Sequence, residues 1–321
     1  MFDSHERAGI FGWYLLGPLL GPTLGPLFGA FIVQDLGWRW VFWVLTIIST
    51  FNTIMGFLFL KESYAPVILE ARREEYEKKK GGSFRFAGED NRPFRTKMAI
   101  SLLRPIKILF TQPIVFTMAT YQAIIFGTIY SLYTNFEDIW GNGYGFDTRH
   151  VGLMYLGPGL GFLIAVWFLV PRIDTVFNKL TEKNDGEEKP EFRLPLANIG
   201  AVLVPISLFW FAWTVEYHVH WFPTLLSTVF FGLGQVLIFN TVQNYYIDSF
   251  SKYAASAIAA GAVFRSLIGG IIPLFAPALF KQVGYGWGIS VFAFFSLALA
   301  PSPVLFYYYG ERLRTRFAID L

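Results

Sequence analysis

Cysteine is missing from all 321 residues, which excludes disulfide frameworks, thiolate metal sites and cysteine nucleophiles. Charge is scarce too: Asp, Glu, Lys and Arg make up 15% of the chain, against about 25% in an ordinary soluble domain. The net charge of +3 is too small, and too clearly partitioned along the chain, for a nucleic-acid partner. His218 and His220 have only Glu216 beside them, so no metal is expected. There is no Gly-x-x-x-x-Gly-Lys-Ser/Thr, Gly-x-Ser-x-Gly or His-Glu-x-x-His, so neither a cofactor nor an ATP-driven step is expected. Gly157-Pro158-Gly159-Leu160-Gly161 lacks the strand-and-helix setting of a dinucleotide loop. Met1 to Gly9 is mixed in charge and unlike the basic start of a cleavable signal.

What fills the chain is apolar: 54% hydrophobic and 19% aromatic residues, with a mean hydropathy of +0.44. Windows long enough to cross about 30 Å of hydrocarbon fall at 11–33, 41–60, 109–133, 151–171, 194–214, 222–244, 255–280 and 286–309. The expected class is therefore an all-α integral membrane protein with eight transmembrane helices. Three basic residues, Arg39, Arg149 and Lys281, lie on one side of these spans. Twenty-two lie on the other, and Arg265 is left inside a span. The positive-inside rule places both termini and the long loop in the cytoplasm.

That loop, Lys61 to Lys107, divides the chain. Pro66 to Lys80 is rich in helix formers, with Glu74–Lys78 and Glu75–Lys79 at i,i+4, and breaks at Gly81-Gly82. Asp174 to Arg193 reads as a second solvated loop.

Gly17 to Ala30 is the most distinctive stretch. Glycine recurs at 17, 21, 25 and 29, and proline follows the first three. This spacing stacks the glycines on one helix face, where another helix can approach closely. Pro18, Pro22 and Pro26 each remove a backbone donor and bend the helix. The glycine-rich run at 157–161 is the expected partner of this helix.

The chain also repeats itself. Pro26-Leu27-Phe28, Gly37 and Trp40 match Pro273-Leu274-Phe275, Gly284 and Trp287, each pair 247 residues apart. Parallel repeats of this kind build one large transporter class. Extending the same offset puts counterparts of spans three to six ahead of Met1. The eight spans then read as helices 5–12 of a twelve-span protein, with the first four absent.

Gly17-x-x-x-Gly21-Pro22-x-x-Gly25-Pro26 resembles the fifth-helix signature of proton-coupled antiporters in the major facilitator superfamily. Glu62-Ser63-Tyr64-Ala65-Pro66, Arg104-Pro105, Asn240 to Asp248, Ala254-Ala255-Ser256-Ala257 to Arg265, and Tyr309-Gly310 look most like the fungal twelve-span drug:proton antiporters. The resemblance implies secondary active export of drugs or other small lipophilic or cationic compounds, with protons as the coupling ion and the plasma membrane as the site. It implies three parts: 1–60 from an N-terminal six-helix bundle, 61–108 as the cytoplasmic link, and 109–321 as a complete C-terminal bundle. The family's loop signature between helices two and three, and its fourth-helix arginine, have no counterpart here. That leaves a second reading, a non-transporting membrane protein that associates with full-length relatives.

Arg265 lies in mid-span, where an arginine costs about 2.5–3.5 kcal/mol to insert, so it should face the bundle interior or a cavity. Asn240, Gln243 and Asn244 share a helix face, and Gln235 lies deeper in the same span. Tyr121, Gln122, Phe126, Tyr130 and Tyr133 form an aromatic and polar stripe suited to lipophilic cargo. Tyr121, Gln122, Tyr130, Gln235, Asn240, Asn244 and Arg265 are the substrate-pathway candidates. The spans carry no cluster of His, Asp or Glu, so an enzyme is not expected.

Overall fold

The computed structural model describes residues 7–62, 64–86, 92–250 and 253–317. Met1 to Glu6, Ser63 of the Glu62–Pro66 motif, and Lys252 of the charge count lie outside these residues. The described chain is built of helices: α1 (Arg7–Leu36), α2 (Trp38–Phe59), α3 (Ala65–Lys80), α4 (Phe94–Thr111), α5 (Pro113–Thr134), α6 (Thr148–Met154), α7 (Leu156–Ile164), α8 (Val170–Lys183), α9 (Ala197–Glu216), α10 (Trp221–Ser249), α11 (Ala254–Leu299) and α12 (Ser302–Arg316). A π-helical turn, Glu137–Gly143, prolongs α5, and another, Ala165–Leu169, joins α7 to α8 just ahead of Pro171. Backbone groups in hydrocarbon must find partners within the chain, and continuous helix provides them.

Seven helical stretches are long and apolar enough to cross a membrane: Gly12–Leu36, Trp38–Phe59, Pro113–Gly143, Thr148–Lys183, Pro190–Glu216, Trp221–Ser249 and Ala254–Arg316. The last has 63 residues, about 95 Å of helix, some three times the hydrocarbon thickness. Gly284 divides it, with φ 77° and ψ 170° inside an otherwise helical run. The eighth span begins there.

Gly284 has a twin. Gly37, between α1 and α2, takes φ 86° and ψ 162°, a conformation essentially reserved for glycine. The two positions are the pair 247 residues apart, so the sequence repeat is also a repeat of backbone geometry. At the second copy the turn is anchored. The Glu216 carboxylate accepts from the Gly286 amide at 2.8 Å, capping the helix that starts beyond Gly284.

Two apolar clusters organise the packing. The larger joins α5, α9, α10 and α11 around Trp140, Phe136 and Phe211. The smaller joins Leu15, Leu16 and Leu19 of α1 to Phe162, Val166, Val170 and Ile173 of the fourth span, and to Val236 and Leu237 of α10. By contrast α2 has no buried residue; α1 is the helix it packs on. The long loop folds as the sequence suggests over its first part. α3 ends at Lys80, Gly81 follows with φ 61°, and Lys79 meets Glu75 at 2.6 Å.

Replacing Gly284 with alanine should cost more than replacing Gly37. Both changes meet a backbone strain of about 1–3 kcal/mol. A methyl at 284 would also stand 2.8 Å from the Glu216 carboxylate, whereas nothing lies within 4 Å at 37. Thermal unfolding in detergent should therefore show the larger drop in midpoint for Gly284→Ala.

Candidate functional site

Among the described residues, two polar groupings hold most of the sequence candidates, and a third is a buried ion network. The first is centred on Arg265, eleven residues into α11 and so about 16 Å along it. Its guanidinium carbon lies 5.0 Å from the ring centre of Phe126 on α5 and 5.0 Å from that of Phe239 on α10. The two rings are 6.5 Å apart with their planes at 30°, so Arg265 rests on a two-ring aromatic wall. Tyr130 extends the wall, 4.6 Å from Phe126. Gly269 makes the approach possible: a methyl there would stand 2.5 Å from the Phe126 ring. Gln122 lies one turn before Phe126, buried, with its Nε2 lacking a partner. Gln235 lies four residues before Phe239, on the same face of α10, and its Oε1 also lacks a partner. The Arg265 Nε is buried without a hydrogen bond, and no carboxylate among the described residues pairs with this arginine.

The second grouping lies between α1 and the rest. Asn240 and Asn244 are fully buried, and the Asn244 Nδ2 donates to the Asn240 carbonyl at 2.9 Å and to its Oδ1 at 2.8 Å. A methyl on Gly12 would stand 3.3 Å from Asn240 Nδ2 and 2.8 Å from Val170. These asparagines therefore bond each other beside the α1–α8 contact, with Asn240 about a quarter turn from Phe239. Tyr121 is buried against α9, its hydroxyl 3.5 Å from the Ala201 carbonyl. The structure thus brings Tyr130 and Arg265 together through Phe126, with Gln122 beside Gly261 one turn before Arg265 and Gln235 one turn before Phe239, and sets Tyr121, Asn240 and Asn244 elsewhere.

The third grouping went unread in the sequence. Arg193 is fully buried, with Nη1 donating to Asp174 at 2.7 Å, Nε donating to Asp248 at 2.9 Å, and its plane 3.8 Å above the Phe177 ring. The other Asp174 oxygen accepts from the Gly9 amide at the start of α1, 2.9 Å away. Asp174 to Arg193 is thus not a uniformly solvated loop, because its two ends form a buried ion network. Charges paired across 19 and 55 residues leave no local signature; only Arg193 beside apolar Leu194 and Leu196 hinted at burial.

The glycine stripe of α1 points the other way. At Gly17, Gly21, Gly25 and Gly29 nothing comes within 4 Å of where a methyl would stand. The packed face carries Gly12, Leu16, Leu19, Thr23 and Ala30. Gly21 is nine residues from Gly12, about two and a half turns, and so falls on the opposite side. The expected contact with the 157–161 run does form, but through Thr23, which meets Gly159, while Gly157 and Gly161 pack on α10. Nearer the Gly37 end, a methyl on Gly152 would stand 2.6 Å from that of Ala30, and Asp35 pairs with Arg149.

Comparison with known proteins fits this architecture. The family model described as Major Facilitator Superfamily matches residues 1–273. This chain belongs to the Major Facilitator Superfamily. It is 42% identical over 316 residues to the MFS-type transporter penM of Penicillium rubens, covering 98% of this chain and 62% of that protein. It is 39% identical over 315 residues to the MFS transporter cpaT of Aspergillus oryzae, covering 98% and 64%. The efflux pump vrtL of Penicillium aethiopicum is 38% identical over 315 residues, covering 98% and 62%. The chain spans less than two thirds of the length of these relatives. As a member of the superfamily it is a multi-pass membrane protein, and the resemblance carried by the Gly17–Pro26 motif is confirmed at family level.

Removing Arg193 breaks its pairs with buried Asp174 and half-buried Asp248, a change that typically costs about 3–5 kcal/mol. Arg193→Gln should lower the unfolding midpoint in detergent well beyond Lys189→Gln, which breaks only the exposed pair with Glu311 at 2.9 Å. Equal effects would contradict the assigned network.

Proposed function

We propose that this chain carries the export pathway of a facilitator-type secondary transporter, with small lipophilic compounds as cargo and inward proton flow as the driving force. Residues 1–60 belong to an N-terminal bundle, 61–108 to the link, and 109–321 to the C-terminal six-helix bundle. Both termini and the link are cytoplasmic, and the membrane is the plasma membrane. The relatives named as efflux pumps support the outward direction.

The observation that carries the reading is Arg265 on its aromatic wall. A cation at mid-depth with ring faces on one side and no carboxylate opposite is a poor seat for a cationic cargo. Like charges repel strongly where water is scarce. Ring faces and unpaired amide groups suit a flat apolar molecule bearing hydrogen-bond acceptors or an acidic group. The cargo is therefore neutral or acidic rather than cationic.

The second reading is a non-transporting partner of longer relatives, and the open glycine stripe of α1 favours it: a small-residue face at GxxxG spacing is a surface on which another helix packs.

Expression of the chain in yeast lacking its own drug exporters separates the two. Transport predicts protonophore-sensitive efflux of a neutral or acidic lipophilic dye. Arg265→Gln should cut that efflux about tenfold or more, the worth of a charge-assisted hydrogen bond. Gradient-driven efflux that is unchanged in Arg265→Gln would remove Arg265 from the pathway. Absence of gradient-driven efflux would leave the partner reading.

A further inference from the structure

α4 covers the last part of the 61–108 link and runs on to Thr111; its Arg104-Pro105 belongs to the family resemblance, but the transport reading gives the helix no role. Its 18 residues contain Arg95, Lys97, Arg104 and Lys107 and no acid. Indeed no Asp or Glu occurs between Asp90 and Glu137. Full burial among the described residues of α4 is confined to its last turn. Ile108 and Leu109 are buried against the bundle. Leu102, Ile106 and Phe110 recur every four residues along one flank, all three more than half exposed, with exposed Arg95 at its N-terminal end, seven residues before Leu102. Lys97, Arg104 and Lys107 follow at steps of seven and three on the flank beyond.

The setting of α4 fixes its level. It stops at Gln112, whose backbone is extended, and Pro113 then begins the membrane-spanning α5. The Gln112 side-chain amide donates to the Phe317 carbonyl, where the last helix ends. The Arg104 guanidinium lies 4.6 Å over the Tyr253 ring, just ahead of α11. α4 thus leaves the bundle at the level where three membrane helices begin or end, on the side that collects most of the basic residues.

We propose that α4 lies in the membrane interface and binds anionic phospholipid headgroups. Leu102, Ile106 and Phe110 enter the acyl region, while Lys97, Arg104 and Lys107 meet headgroup phosphates and carboxylates. A helix with an apolar face and a basic flank settles at this depth, and its affinity rises with the anionic lipid content of the leaflet. The proposal is independent of transport, and it holds whether or not the chain moves any cargo.

The absence of cysteine gives a clean test. Spin labels are placed singly at Ile106→Cys, at Ser101→Cys on a different face, and at Glu74→Cys on α3 as an aqueous control. The full chain is held in nanodiscs of phosphatidylcholine alone or mixed with phosphatidylserine. The label at 106 should collide with oxygen in preference to a water-soluble nickel chelate, and those at 101 and 74 with the chelate. Adding phosphatidylserine should raise the docked-to-undocked ratio at 106 by at least about fivefold, the effect of one interfacial charge. The combined Lys97→Gln, Arg104→Gln and Lys107→Gln chain should lose that rise while position 74 is unchanged. A label at 106 as open to nickel as that at 74 would overturn the proposal. So would one shielded from both probes, which would mean a protein cover such as a second copy. Docking that ignores phosphatidylserine would overturn the headgroup assignment.

Discussion

Arg193 is the point on which the basic end of the molecule depends. One buried guanidinium engages Asp174 at the end of the fourth span and Asp248 at the end of the sixth, and it sits itself at the entry to the fifth. Through the second oxygen of Asp174 the network reaches the first turn of α1. A buried ion pair gives little net stability over an apolar substitute, but breaking one is costly, so such a network favours a single arrangement of the elements it joins. Arg193 and Asp174 together join four segments: the first turn of α1, the fourth span, the entry to the fifth and the end of the sixth.

α1 shows how two requirements are separated on one helix. Its Gly12–Ala30 face is shaped for the fourth span: glycines 12, 152 and 159 lie where methyl groups would collide or crowd. Its Gly17–Gly29 face is equally small, and among the described residues nothing lies within 4 Å of where methyl groups on those glycines would stand. Such a helix is a connector with one side used and one side available. Polar contacts fasten the used side at both ends, Gly9 to Asp174 and Asp35 to Arg149. α2, touching little besides α1, belongs with the available side.

Much of this was legible in sequence because hydrocarbon imposes simple rules. Runs of apolar residues marked where each span lies, though the third and fourth helical stretches run ten and twelve residues past their expected ends, and a charge-rich segment broken at Gly81-Gly82 marked α3. The repeat of Pro-Leu-Phe, Gly and Trp located two backbone breaks, since only glycine adopts φ near 80° with ψ near 165°. Less legible was which face of a helix meets what. Spacing of four establishes that Gly17, Gly21, Gly25 and Gly29 share a face, not that this chain supplies its partner. Asn240 and Gln235 belong to one helix, yet the quarter turn separating Asn240 from Phe239 puts them in different surroundings. Arg193 and Asp174 resembled ordinary loop charges because their burial depends on elements more than fifty residues away.

α1 meets the fourth span through the Ala30 face and leaves the glycine stripe open. A double-cysteine crosslink in native membranes tests it directly. Ala30→Cys with Gly152→Cys should form a disulfide readily on mild oxidation, because the two β-carbons need move apart by only about 1 Å to reach disulfide geometry. Gly25→Cys with Gly152→Cys should not. Crosslinking of the second pair in place of the first would contradict the account.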